Sequence, residues 1–145
     1  VELSSKTSYA LLALIELAAA YQTGEPLQIR QVAARQDIPD RYLEQLLATL
    51  RRGNLVKSQR GAKGGYILAR APWQITVLDA LHCLEGAVNT AKDQENKSLS
   101  PEMAVITEIW QESHWSAQSI LAKYTVKDLL EKRDSRKQRD IMYYI

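Results

Sequence analysis

The spacing of apolar positions changes along this chain, and each change marks an element. From Ser5 to about Tyr21 apolar residues fall on nearly every face of a helix, with Glu16 as the interruption. A helix apolar all round belongs at the centre of a core. Ser4 and Ser5 are its candidate N-caps. Gln22-Thr23-Gly24-Glu25-Pro26 reads as a turn. A short second helix follows over Ile29–Gln36, with Ile29, Val32 and Ala33 at helical spacing. The break at Asp37-Ile38-Pro39 has the length of a tight helix-to-helix turn. The third helix, Asp40 to Arg52, places Leu43, Leu46, Leu47 and Leu50 on one stripe. Arg41, Glu44, Gln45, Ala48, Thr49 and Arg52 gather on the opposite face at about 100° per residue. Gly53 stands where a left-handed C-cap is expected.

The period then falls to two. Residues 54–59 and 66–69 are short β-type runs around Arg60-Gly61-Ala62-Lys63-Gly64-Gly65, the pattern of a hairpin. Four of the six glycines lie between 53 and 65, so backbone freedom is concentrated there. Trp73, just after Pro72, is expected to fasten the hairpin to the core. Thr76 and Asp79 form a capping box for a fourth helix ending at Gly86.

The polar stretch 87–99 reads as a loop. Ser100-Pro101-Glu102 opens a long helix to about Tyr124, with a cap, a proline at the first helical position and an early carboxylate. Its apolar and small positions run Met103, Ile106, Trp110, Ser113, Ala117, Ile120, Tyr124 at 3/4 spacing. Thr125 and Asp128 make a second capping box, for a short helix carrying Val126, Leu129 and Leu130. Eight of the ten residues Glu131–Asp140 are charged, which predicts a solvated or frayed end. No role follows for the closing Ile141–Ile145.

Charge sharpens this picture. The net charge of +2 is uninformative, but residues 1–70 carry ten Lys/Arg against six Asp/Glu, and residues 71–145 carry nine against eleven. The front half is thus the part suited to an anionic partner. Across Arg51–Arg70 there are six basic residues and no acidic one. The apolar stretch Tyr9–Tyr21 is too short for a membrane span, which needs about 20 residues, and no secretory leader is expected. The single cysteine, Cys83, excludes an intramolecular disulfide and a multi-cysteine zinc site within one chain. Beside Leu81 and Leu84 it reads as a small buried hydrophobe rather than a redox sensor. His82 and His114 are isolated, so no metal site is expected. Nothing pairs as nucleophile and base, so no enzyme is expected either.

A short helix, a tight turn, an amphipathic helix and a basic hairpin together make a winged helix-turn-helix. The expected fold is mainly α, with a two-stranded wing hairpin and a long C-terminal dimerisation helix. A lone basic run is usually a solvated face; here it follows directly on a helix pair, which favours duplex DNA. The third helix then offers Arg41, Glu44, Gln45 and Thr49 to a major groove, where Gln pairs with adenine and Glu accepts from cytosine. Arg51, Arg52 and Lys57 are expected on phosphates. The loop Arg60, Gly61, Lys63, Gly64, Gly65 is expected along a minor groove, with its glycines letting the backbone approach the phosphates.

The segments Tyr42–Leu47, Leu50-Arg51-Arg52-Gly53, Leu55-Val56 and Arg60-Gly61 through Gly64-Gly65-Tyr66 resemble the Rrf2 family of bacterial regulators. Lys6–Leu11, Ile75-Thr76, Asp79 and Leu84-Glu85-Gly86 match it too, so the resemblance covers most of residues 5–130. It implies a promoter-binding regulator, more often a repressor, whose long helix pairs with a second subunit. It also implies that Lys6 and Thr7 lie near the DNA backbone. Many members of the family hold an iron–sulfur cluster through three cysteines between the fourth helix and the long helix. Residues 86–122 contain none here, and Thr107 stands where a cluster-binding relative can carry a ligating histidine.

The expected organisation is a DNA-binding unit over 1–86, a loop over 87–99, dimerisation helices over 100–133 and a charged tail over 134–145. Ile106, Ile109, Trp110, Ala117, Ile120 and Leu121 form the expected interface of a cytoplasmic homodimer without a cofactor, with Trp115 also read as a packing residue. A regulatory partner protein or small molecule is an open input. Two alternatives stand beside this: a winged module that binds only protein, and a cluster held by Cys83 with non-thiolate ligands or shared across the dimer.

Overall fold

The computed structural model describes residues 3–85 and 99–143. Its elements are α1 (Ser5–Ala19), α2 (Ile29–Gln36), α3 (Asp40–Arg52), β1 (Val56–Gln59), β2 (Gly65–Leu68), a 3₁₀ turn at Pro72–Gln74, α4 (Val77–Glu85), α5 (Pro101–Lys123) and α6 (Val126–Tyr143). Gly86 and the expected loop as far as residue 98 lie outside the described residues, as do Tyr144 and Ile145.

The mainly helical fold follows the apolar pattern. α1 is capped by Ser4, whose Oγ accepts from the Thr7 N–H at 3.1 Å. It ends at Ala19, two residues before the expected Tyr21. It is the central helix, touching α2, α3, α4, α6 and β2, and it buries Ala10, Ala13, Leu14, Leu17 and Ala18. α3 turns Leu43, Leu46, Leu47 and Leu50 inward, all at most 2% exposed. Burying each is worth roughly 1.5–3 kcal/mol. Leu55, Val56, Leu68, Ile75 and Val126 complete the same core. Both capping boxes form: Thr76 with Asp79 and Thr125 with Asp128 exchange reciprocal hydrogen bonds of 2.9–3.1 Å. The Thr125 backbone N–H and hydroxyl hold the Asp128 carboxyl below its ordinary range.

Three expectations need correction. Gly53 is not a left-handed cap, having φ −82°; Asn54 takes the positive φ, at 61°. Gly53 is instead a contact residue, because an added Cβ would lie only 2.2 Å from Cys83 Sγ. Trp73 does not fasten the wing: its ring stands edge-on to Tyr21 in the turn after α1, 6.1 Å between centroids, and it is 57% exposed.

The charged tail is not frayed, because α6 continues to Tyr143 and packs along α1. Its start is stitched to the segment that leads into α4 by Val126 N–H to Ile75 O (2.8 Å) and Val77 N–H to Tyr124 O (2.9 Å). Further along, Arg133 turns inward to Glu16. Glu16 is only 5% exposed. A carboxylate so buried must be paired. It accepts from Gln36 Nε2 at 2.6 Å, Arg35 Nη1 at 3.3 Å and Arg133 Nη1 at 3.4 Å.

Alanine fits the φ of Gly53 without strain, so the cost of Gly53→Ala comes from the contact with Cys83 alone. Gly53→Ala is expected to lower stability by roughly 1–3 kcal/mol through overpacking. More than half of that loss should disappear in a Cys83→Ala background. Urea unfolding of the two single variants and the double variant measures the coupling, and additive losses would contradict the assignment.

Candidate nucleic-acid interface

The helix pair is set by its turn. Asp37 adopts the left-handed conformation (φ 54°), and the Ile38 N–H returns to Ala33 O at 3.0 Å, closing α2. Ile38 is buried, and Pro39 supplies the first turn of α3 with the carbonyl that Leu43 N–H bonds at 3.0 Å. With the four leucines pinned below, Arg41, Glu44, Gln45 and Arg52 are exposed above, and Thr49 is half-buried. Thr49 Oγ1 donates to Gln45 O (3.1 Å) and accepts from Arg52 Nη2 (3.2 Å). Arg52 therefore lies back along the end of the helix.

The wing is a two-stranded antiparallel hairpin in the register Val56↔Leu68, Lys57↔Ile67, Ser58↔Tyr66, Gln59↔Gly65. Val56 and Leu68 anchor its base in the core, while Lys57, Arg60 and Lys63 are exposed. Arg51 Nη1 reaches Ser58 Oγ at 3.4 Å, tying the end of α3 to β1. A third segment fixes the hairpin's position: Leu27, just before α2, forms a bridge with Tyr66 through hydrogen bonds of 2.8 and 3.0 Å.

The glycines serve this geometry. Gly65 has φ 154°, and a Cβ there would lie 2.4 Å from Leu27 O. A Cβ on Gly64 would lie 2.3 Å from Gln59 O. Gly64 is buried inside the loop, so these two residues allow close approach within the protein, and both also line the groove between α3 and the wing. Gly61, exposed at φ 113° with open space around it, is the loop glycine that faces outward.

Between α3 and the wing runs an open groove of about 480 Å³, with Arg30, Asp40, Arg41, Glu44, Gln59 and Gly61 among its lining residues. Its basic and acidic side chains balance. The excess positive charge lies outside it, on Arg51, Arg52, Lys57, Arg60 and Lys63. Selective hydrogen-bonding groups are thus central, and bare charge is at the flanks. Arg30 is a groove residue that the helix and hairpin patterns do not mark. It is the second residue of α2 and donates from Nε to Gln28 Oε1 at 3.0 Å. Its position in the second helix's first turn was the available signal. Lys6 and Thr7 do not line the groove. Lys6 Nζ donates to Leu84 O at the end of α4 (3.2 Å), and the Thr7 hydroxyl accepts from Ser4 Oγ (3.0 Å).

The family profile described as Rrf2, iron-dependent transcriptional regulator, matches residues 3–132. The chain belongs to the Rrf2 family. It is 33% identical to the HTH-type transcriptional regulator CymR of Bacillus subtilis over 145 residues, covering the whole of both chains. The structure of T. potens IscR superposes with a TM-score of 0.77 at 35% identity, covering 92% of this chain and 88% of that one. The structure of CymR, the global cysteine regulator of B. subtilis, gives 0.75 at 32% identity, covering 91% and 98%. An Rrf2 chain of this fold is a DNA-binding transcription regulator and not an enzyme.

The iron in the family description does not fit this chain's donors. An iron–sulfur cluster wants several thiolates, and the sequence holds one cysteine. Cys83 packs against Gly53, and its thiol donates to Thr49 O at 3.4 Å. Burial raises its pKa, against the smaller lowering effects of the Gly53 N–H and Arg52. Among the described residues no three His, Cys, Asp or Glu side chains converge as a metal site. Thr107, at the position of a relative's ligand, bonds back to Met103 O at 2.8 Å within its own helix. Also among the described residues, no helix is long and apolar enough to cross a membrane.

Gln45 and Arg52 should respond differently to mutation. Gln45→Ala is expected to change which sequence is preferred, with about 1–3 kcal/mol of discrimination lost at one base pair. Arg52→Ala is expected to lower affinity for all duplexes and to reduce the salt slope by about one unit. Selection from a random duplex pool, run with each variant beside the parent, reads both. A parental motif from Gln45→Ala together with a new motif from Arg52→Ala would overturn this placement of α3.

Proposed function

We propose that this protein is a cytoplasmic, cluster-free repressor that binds promoter DNA as a homodimer. In this reading α3 enters the major groove and the wing lies along the adjacent minor groove. The observation that carries it is the groove shared by α3 and the wing, which puts Arg41 and Glu44 on the same side of the molecule as Gln59 and Gly61. A recognition helix and a basic hairpin facing one way can engage one duplex together. Arg60, Lys63 and Lys57 then neutralise phosphates, and Arg41, Glu44 and Gln45 read base edges. Lys6 and Thr7, at the start of α1, are assigned to the DNA backbone on the family resemblance alone. Occupying promoter DNA in this way is how such a protein represses.

The dimer rests on α5. This helix has 23 residues and buries none of them. It leaves Ile106, Ile109, Trp110 and Ile120 between 51% and 73% exposed. Those four, with Ala117 and Leu121, share a stripe about 120° wide at 100° per residue. A second copy of the same stripe is the partner that fits it, in an isologous contact. A two-fold dimer presents two α3 helices to half-sites about one helical turn apart, so a palindromic operator is expected.

Trp115 lies some 140° around the helix from Trp110, among Glu108, Gln111, Glu112 and Ser119. It belongs to the polar face and not to the stripe. Trp110→Ala is therefore expected to shift the protein from dimer to monomer at micromolar concentration and to weaken operator binding, whereas Trp115→Ala should do neither. Sedimentation velocity with a parallel duplex titration decides. A monomeric parent, or a stronger effect from Trp115→Ala, would contradict the assignment.

A further inference from the structure

The Glu16 cluster lies outside the DNA surface, yet it joins elements that the proposed mechanism needs to hold together. Arg35 and Gln36 belong to the last turn of α2, the first helix of the helix-turn-helix. Arg133 belongs to α6, which follows directly on α5, the helix assigned to dimerisation. Glu16 sits between them on α1, almost wholly buried, and its carboxylate accepts from all three side chains. Arg133 has no part in the groove or the wing. Its side chain is 24% exposed, against 53% for Arg35, and its outer edge also meets Asp134 at 3.1 Å.

We infer that Glu16 is a positioning residue for DNA binding, through which the placement of α6 sets the placement of α2. The physical reason is the shortage of alternatives for a buried carboxylate. Each oxygen is already engaged: Oε1 by Gln36 and Arg133, Oε2 by Arg35. If α6 withdraws Arg133, Oε1 keeps only Gln36, and the buried charge loses a countercharge. The carboxylate then settles in a different arrangement with Arg35 and Gln36, which turns the end of α2. Asp37, in the left-handed conformation, follows immediately, so a shift there passes straight into the turn that aims α3. A change in how the long helices sit is thereby read at the DNA surface without any effector touching that surface. This inference rests on the assignment of α3 and the wing to DNA.

The test uses the full-length protein and a duplex selected from a random pool. Arg133→Gln is expected to lower duplex affinity roughly tenfold, within the usual range of coupling between sites. The salt slope should stay unchanged, because no phosphate contact is lost. Arg133→Lys should restore part of the affinity, since its ammonium still reaches a carboxylate. In a Glu16→Gln background, Arg133→Gln should add nothing, because the two act through one link. Should Glu16→Gln fail to fold, Arg35→Gln serves in its place, and the combined loss with Arg133→Gln should again be less than the product of the single losses. Full parental affinity in Arg133→Gln, a salt slope reduced by about one unit as for a direct phosphate contact, or multiplicative losses would each overturn the proposal. Arg60→Ala, titrated alongside, separates the two levels. If it alone has no effect, the wing assignment is wrong, whereas the link between Arg133 and Glu16 is still judged by its own coupling.

Discussion

Two backbone hydrogen bonds between Leu27 and Tyr66 determine where the wing stands relative to the helix-turn-helix. A two-stranded hairpin is marginal by itself, and this one gains a third, one-residue partner from the segment that leads into α2. The bridge demands a residue without a side chain at position 65, since a Cβ there would collide with the Leu27 carbonyl. Because Leu27 directly precedes Gln28, the N-cap of α2, the same contact that braces the wing also holds the entry of the helix pair. The groove between α3 and the hairpin, and with it the common direction of their polar groups, follows from this local constraint.

The surface divides labour in a way that matches duplex recognition. Charge that acts at a distance sits on the hairpin and at the C-terminal end of α3, where Arg51 is braced by Ser58 and Arg52 by Thr49. Groups with directional hydrogen bonding sit between them, on the exposed face opposite the four leucines. The second half of the molecule supplies what the first lacks. α5 exposes a stripe that its own chain does not cover, and α6 returns the chain to the core at Val126 and again at Arg133.

Much of this was legible in the sequence because it depends on local rules. The leucine spacing of α3, the reciprocal Thr/Asp caps at 76 and 125, and the glycine-tipped basic hairpin each carry their cause within a few residues. What was not legible depends on contacts across the chain. Glu16 looked like a break in an apolar stretch, and nothing near it indicated that Arg133, 117 residues later, would meet it. For the same reason the charged run 131–140 gave no sign of a regular helix: it is solvated as expected, but one of its arginines holds that helix to the body. Gly53 was misjudged on conformation when its reason is the approach of Cys83. Gly64 and Gly65 also approach carbonyls of the protein itself, contacts that the local pattern does not reveal.

Whether α3 and the wing engage adjacent grooves of one duplex can be read by site-directed DNA cleavage. An iron chelate is attached through a single cysteine in a Cys83→Ala background, introduced either as Gln45→Cys on α3 or as Ala62→Cys on the wing. The DNA is a duplex carrying a selected operator. Major-groove cleavage is expected from position 45 and minor-groove cleavage from position 62, within half a helical turn of each other in each half-site. Cleavage from the two positions in the same groove, or cleavage from position 62 alone, would contradict that placement.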